Sequence, residues 1–196
     1  MHKSNFTLIL CFLGWALVLP VQLVLAENAD KKVWVTLEKP ESDTYRIQGV
    51  IKDMPDSAIV WECLTDYTGM PKWVSGMDKS TLLKRDGTEI RLAQEVQGEA
   101  WIFKKTMHLE LQITEIPPEE IHFEDKARQD FERYSGSWCL KLTSTGVDVY
   151  YDLTLKTRFF APRFFAKSTY LHNSEKLLHE VRQEILRRAE SRARDQ

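Results

Sequence analysis

The stretch MHLELQITEI, residues 107–116, alternates without a break. Met107, Leu109, Leu111 and Ile113 fall on one side, His108, Glu110, Gln112 and Thr114 on the other. Period two is the pattern of a strand with one face buried and one in water. Working outward, the period persists on both sides. Upstream, Asp86-Gly87 separates two strand-like runs, a strong hairpin signal. Downstream, Pro117-Pro118 closes the strand and EIHFEDKARQ begins another. WCLKLTSTGVDVYYDLTLKTRF then turns near Thr145-Gly146, with Val147, Val149, Tyr151, Leu153 and Leu155 on one face. About six consecutive strands joined by short turns describe an antiparallel meander with one buried face.

The chain around this meander reads differently. From Pro162 to about Ser191 the period is helical: Leu171, Leu178, Val181 and Ile185 form a stripe with Leu177 beside it. Lys176, Arg182, Glu184, Arg187 and Arg188 are expected to face water. Before the meander, residues 33–37 and 45–51 are strand-like and separated by the turn-forming EKPESD. Pro55 suits the first turn of a short helix, with Asp56 favouring its N-terminal dipole. Val60, Trp61, Leu64 and Tyr67 share one face of that helix, and Gly69 and Pro71 end it. The predicted class is α+β: a curved antiparallel β-sheet wrapped around a long C-terminal α-helix. A sheet so curved can leave a hydrophobic cavity between itself and the helix.

Residues 1–26 stand apart. Lys3, an apolar run from Phe6 through Leu19, and small residues at Val24 and Ala26 have the shape of a secretory signal peptide cleaved before Glu27. The alternative is an uncleaved anchor, since the run approaches the ~20 residues that span a bilayer. Cleavage is favoured, because Pro20 and Gln22 precede a good cleavage site. Residues 27–196 then form one domain, exported, and periplasmic if the source is Gram-negative. With a formal net charge of −2, no nucleic-acid partner is expected. Cys63 and Cys139 each sit in an apolar pattern, so a buried thiol competes with a disulfide. With no CxxC, HExxH or cysteine–histidine cluster at ligand spacing, neither metal nor cofactor is expected.

Three stretches carry a family resemblance. VWECLTDYTGMPKWVSGM (60–77) matches a helix-to-loop pattern through Trp61, Leu64, Asp66, Tyr67, Pro71 and Trp73. GSWCLKLTSTGVDVYYDLTL (136–155) matches a hairpin pattern through Gly136, Trp138, Gly146 and Val149, and the terminal amphipathic helix completes the set. Together they resemble the START-like helix-grip superfamily, especially its polyketide cyclase/dehydrase and coenzyme Q-binding branch. The resemblance implies a cavity for an apolar ligand, entered between the loop after the first helix and the C-terminal helix. The superfamily includes lipid carriers, cyclases and ligand sensors, so it points to no single activity.

The expected ligand contacts are the unusually apolar loop residues Tyr67, Met70, Trp73 and Met77. To them the aromatic strands and the last helix add Trp101, Phe103, Trp138, Tyr151, Phe164, Leu171 and Leu178. The partner is a hydrophobic small molecule or lipid, bound by a monomer. RFFAPRFF, residues 158–165, either plugs one end of the sheet or makes transient contact with a membrane surface.

No catalytic residue is assigned. His108, Glu110 and His122 offer an acid–base cluster only if they face the pocket, and the strand period sends His108 and Glu110 into water. His172 and His179, two turns apart, fall on a solvated face. The cluster of Glu124, Asp125, Asp130 and Glu132 around Arg128 and Arg133 reads as a charge-mixed strand edge rather than a head-group site.

Overall fold

The computed structural model describes residues 31–100, 103–159 and 163–195; the proposed signal segment and Trp101 lie outside them. Strands β1 (Val33–Glu41) and β2 (Thr44–Met54) form an antiparallel hairpin. Helix α1 (Ser57–Thr65) and a 3-10 turn at Met70–Lys72 follow. Then come β3 (Met77–Asp86), β4 (Glu89–Ala100), β5 (Phe103–Ile116), β6 (Glu120–Asp125), β7 (Phe131–Thr143), β8 (Gly146–Thr157) and α2 (Arg163–Arg194). The eight strands form one sheet in the order β1-β2-β8-β7-β6-β5-β4-β3. The meander therefore runs from β3 to β8, and the N-terminal hairpin joins it through β2 against β8. This is the helix-grip arrangement.

The alternation of 107–116 survives in three dimensions. Leu109, Leu111 and Ile113 are buried, while His108 is exposed. On β8, Val147, Val149, Tyr151, Leu153 and Leu155 are all buried. The inward phase of β5 continues one step further, to Glu115. That carboxylate is buried, accepting the Tyr67 hydroxyl at 2.8 Å and two Arg85 N–H groups at 3.1 Å each. Burial and the Glu115 carboxylate both push the Tyr67 phenol far above its usual range, so it stays a neutral donor.

Helix α1 begins at Asp56, whose carboxylate accepts from the Ala58 N–H (2.7 Å) and the Ile59 N–H (3.0 Å). Pro55 lies just before this cap, one step outside the first turn expected for it. Ile59, Val60, Cys63 and Leu64 are buried, and Trp61, expected on that face, is half-buried at its margin.

Helix α2 grips the sheet through Leu178, Val181 and Ile185, all 1% exposed or less. It comes close at Gly49 on β2, where a Cβ would lie 2.3 Å from Leu178 Cδ1, so a side chain there would force Leu178 to move. Leu171 is half-buried at the edge of the stripe. Glu184 contradicts the expectation of a water-facing position: it is 7% exposed. Arg187 donates to it at 2.7 and 2.8 Å and Arg188 at 2.7 Å, while Arg188 also donates to Asp66 at 2.7 Å. A carboxylate can leave water when guanidinium groups replace its hydration. Here they tie α2 to the end of α1.

The acidic cluster is likewise more than a decorated edge. Strand β6 is short and pairs with β5 only from Leu111 onward. Below that point two carboxylates substitute for the missing strand. Asp125 accepts the Glu110 N–H at 2.9 Å, and Asp130 accepts the His108 N–H at 2.8 Å. Both are buried, consistent with their use as backbone acceptors. Cys63 and Cys139 are free thiols.

Candidate functional site

Between the inner sheet face and α2 lies a cavity of about 440 Å³. Its walls come from inward positions of the strands: Met107 and Leu109 on β5, Leu153 and Leu155 on β8, and Phe131 at the start of β7. Ala166, Tyr170 and Leu177 of α2 form the roof. The segment 74–77, immediately after the 3-10 turn, forms one rim. Ser75 fastens this rim to α2, donating its N–H to Glu180 at 3.1 Å and its hydroxyl to the same carboxylate. The far end of the rim is held by backbone pairing instead: Gly76 O accepts the Gln97 N–H at 2.6 Å and Met77 pairs with Val96.

The lining also carries polar groups. Gln94 follows Ile90 and Leu92 in the inward phase of β4 and donates its amide to Ser80 Oγ at 3.2 Å. Tyr134 and Tyr151 stand on the β7–β8 wall. Burial first, and then the Asp125 charge, push the Tyr134 phenol up to about 12. Burial also raises Tyr151 well above the ordinary phenol range. Both remain neutral at ordinary pH. Charged groups stand among the lining at Lys105, Lys176 and Glu180. Lys105 is committed to Asp130 at 2.7 Å and lies 4.1 Å from the Phe159 ring centre. Burial alone would raise Asp130, but the Lys105 ammonium and the His108 N–H together hold its carboxyl below the usual range.

Of the contacts expected from sequence, Met77 and Tyr151 line this cavity. Six others lie elsewhere among the described residues. Tyr67 is committed to Glu115. Met70 and Trp73 are half-buried against the core, and the Trp73 indole N–H is sealed there with no hydrogen-bond partner among the described residues. Trp138 pairs across the strands with Tyr151, its ring 4.4 Å away, and is not part of the lining. Leu178 is spent on Gly49, and Leu171 sits at the helix margin. Trp101 and the side chains of Phe103 and Phe164 fall outside the described set. His108 and His122 are exposed; His108 Nδ1 lies 3.7 Å from Asp130, and His122 contacts Glu120 at 2.8 Å. Sequence reasoning passed over Gln94 and Ser174, whose signal is a polar residue in the inward phase of an otherwise apolar strand or helix stripe.

Comparisons with known proteins agree with this architecture. No curated relative matches the sequence. Among solved structures, a STAR-related lipid transfer protein from Xanthomonas axonopodis superposes with a TM-score of 0.68 at 18% identity, covering 79% of this chain and 94% of that one. Human STARD10 gives 0.66 at 9% identity, covering 84% and 73%. The ZhuI aromatase/cyclase from Streptomyces sp. R1128 gives 0.64 at 15%, covering 74% and 96%. At such identities these likenesses speak for the fold alone. The family model described as "Polyketide cyclase / dehydrase and lipid transport" matches residues 57–181, from the first turn of α1 to the gripping stripe of α2. The chain therefore belongs to the polyketide cyclase/dehydrase and lipid transport family, and its fold is the helix-grip fold.

Proposed function

We propose that the protein binds, and carries, a hydrophobic small molecule such as a lipid or an isoprenoid quinone in the cavity between sheet and α2. The observation that carries this reading is the cavity itself: about 440 Å³ walled largely by Met107, Leu109, Phe131, Leu153 and Leu155. That volume lies within the roughly 300–1,000 Å³ of small-molecule sites. Burial contributes ~25 cal/mol per Å² of apolar surface removed from water, so a bound chain is held without covalent chemistry. The family's joint description, cyclisation and lipid transport, supports an apolar ligand without choosing between the two. Mass spectrometry of organic extracts from the purified protein tests the reading. A co-purifying lipid or quinone is expected; repeated absence of one, together with no binding of a fluorescent fatty acid, overturns it.

A cyclase-like enzyme in the same cavity is the second reading, favoured by the two neutral phenols on its wall. Turnover of an apolar polyketone, lost in Tyr134→Phe and Tyr151→Phe, would establish it over simple carriage. Export is part of the proposal and rests on the signal-like pattern of residues 1–26. N-terminal sequencing of the cell-envelope protein should begin at Glu27; a retained Met1 refutes cleavage, and absence of the protein from the envelope refutes export. A monomer that touches the membrane transiently through residues 158–165 completes the picture. Vesicle sedimentation checks the contact.

A further inference from the structure

The cavity is not uniformly apolar, and its polar groups are poorly used by the protein. Tyr151 is 4% exposed, Ser174 6% and Gln94 7%, yet all three line the cavity. They arrive from three separate elements: β8, α2 and β4. Gln94 spends its amide N–H on Ser80 Oγ, which leaves its carbonyl oxygen as an acceptor. The Tyr151 hydroxyl, the Ser174 hydroxyl and the Gln94 carbonyl oxygen have no hydrogen-bond partner among the described residues. Among those residues the side-chain atoms both fully buried and unpartnered are Trp73 Nε1 and Arg182 Nε. The three cavity groups are therefore open to the cavity, not closed off in the packing.

An unpaired polar group costs roughly 1–3 kcal/mol when it is dehydrated, so an apolar ligand filling this space would strand all three. A ligand carrying oxygen within reach of them would strand fewer. The charge of that oxygen-bearing group also follows. None of the three groups is ionised; among the charged lining residues Lys105 is held by Asp130, Glu180 is itself an anion, and Lys176 is exposed to water. A carboxylate or phosphate brought to these buried groups would lose its hydration and find no buried countercharge beside them, which is the costly case.

We propose that Tyr151, Ser174 and Gln94 give the cavity polar subsites for uncharged oxygen functions, hydroxyl or carbonyl, carried on the body of an otherwise apolar ligand. The proposal rests on the ligand-binding reading of the cavity and names the ligand's chemistry. It separates oxygenated ring or chain compounds from plain acyl chains, and it orients the ligand with its neutral oxygen inside. Tyr134 adds a second phenol to the same wall.

A matched pair of fluorescent probes tests it: pyrene and 1-hydroxypyrene, titrated near neutral pH where the latter is uncharged. One to two hydrogen bonds give the hydroxylated probe an advantage of about tenfold in Kd. That ratio should fall toward unity in Tyr151→Phe and in Ser174→Ala, whatever either change does to the hydrocarbon's own affinity. Each variant removes a single oxygen, and a circular-dichroism melt verifies that it folds. Equal affinity for both probes in the unaltered protein, or a preference untouched by both substitutions, overturns the subsites while leaving the cavity reading intact. Binding of neither probe overturns both.

Discussion

The contact between Gly49 and Leu178 sets how α2 lies on the sheet, and a double-mutant cycle measures it. Leu178→Ala removes a fully buried side chain, 0% exposed, and by comparable truncations costs about 2–5 kcal/mol. Gly49→Ala does the opposite. Its Cβ would stand 2.3 Å from Leu178 Cδ1, well inside the ~3.5 Å of a comfortable carbon contact. The Leu178 side chain, or the helix that carries it, has to shift, at a cost of about 1–3 kcal/mol. In the double variant the new methyl occupies space that Leu178 has vacated. The combined loss should therefore fall short of the sum of the two single losses by about 1–3 kcal/mol. The rescue is incomplete because Trp34 O remains 3.3 Å from the added carbon. Urea unfolding followed by tryptophan fluorescence, with ΔG from the midpoint and slope of each curve, supplies the four corners of the cycle. Additivity within about 0.5 kcal/mol would refute the close-approach account, because it would mean the two side chains never compete for the same volume.

Three further outcomes follow from other contacts. The hydrogen bond from Arg187 works against burial and, with Arg188, holds the Glu184 carboxyl below its usual 4.5. Its contribution to stability is complete above about pH 4.5 and is lost as pH falls through the lower folded value. Glu184→Gln should therefore flatten the acid limb of a stability–pH curve; parallel curves would show that the pairing contributes nothing. Burial pushes the Cys63 thiol up to about 12, so iodoacetamide should label half-buried Cys139 first and reach Cys63 only in urea. Peptide mass mapping reads this, and native labelling of the two at one rate contradicts it. Finally, Ser75→Ala removes the hydroxyl half of the rim latch to Glu180. Release of a fluorescent fatty acid in stopped flow should accelerate by about two- to tenfold, the factor for one net hydrogen bond. An unchanged rate would move the entrance elsewhere.

What the sequence by itself determined is whatever repeats locally. The period-two runs set the strands and their inward sides, from Leu109, Leu111 and Ile113 to Val147, Val149 and Tyr151, and the helical stripe picked out Leu178, Val181 and Ile185. Asp56 and Gly87 marked element ends, because a cap or a turn is made by residues adjacent in the chain. The helix-grip class follows from this order of elements and was legible throughout. The tertiary structure decided everything that depends on a distant partner. Glu115 leaves water only because Arg85 and Tyr67 arrive from other elements, and Arg188, one of the two guanidinium partners of buried Glu184, also reaches Asp66 at the end of α1. Strand β2 pairs with β8 across about a hundred residues of chain, a closure no local pattern encodes. The division of inward side chains into core and cavity is of the same kind. Leu178 and Trp138 point inward as legibly as Tyr151 does, but the crossing of α2 at Gly49 consigns the first to packing. The loop that looked greasy in sequence divides the same way: Met70 and Trp73 close the core, and Met77 with its neighbours back to Val74 opens onto the cavity.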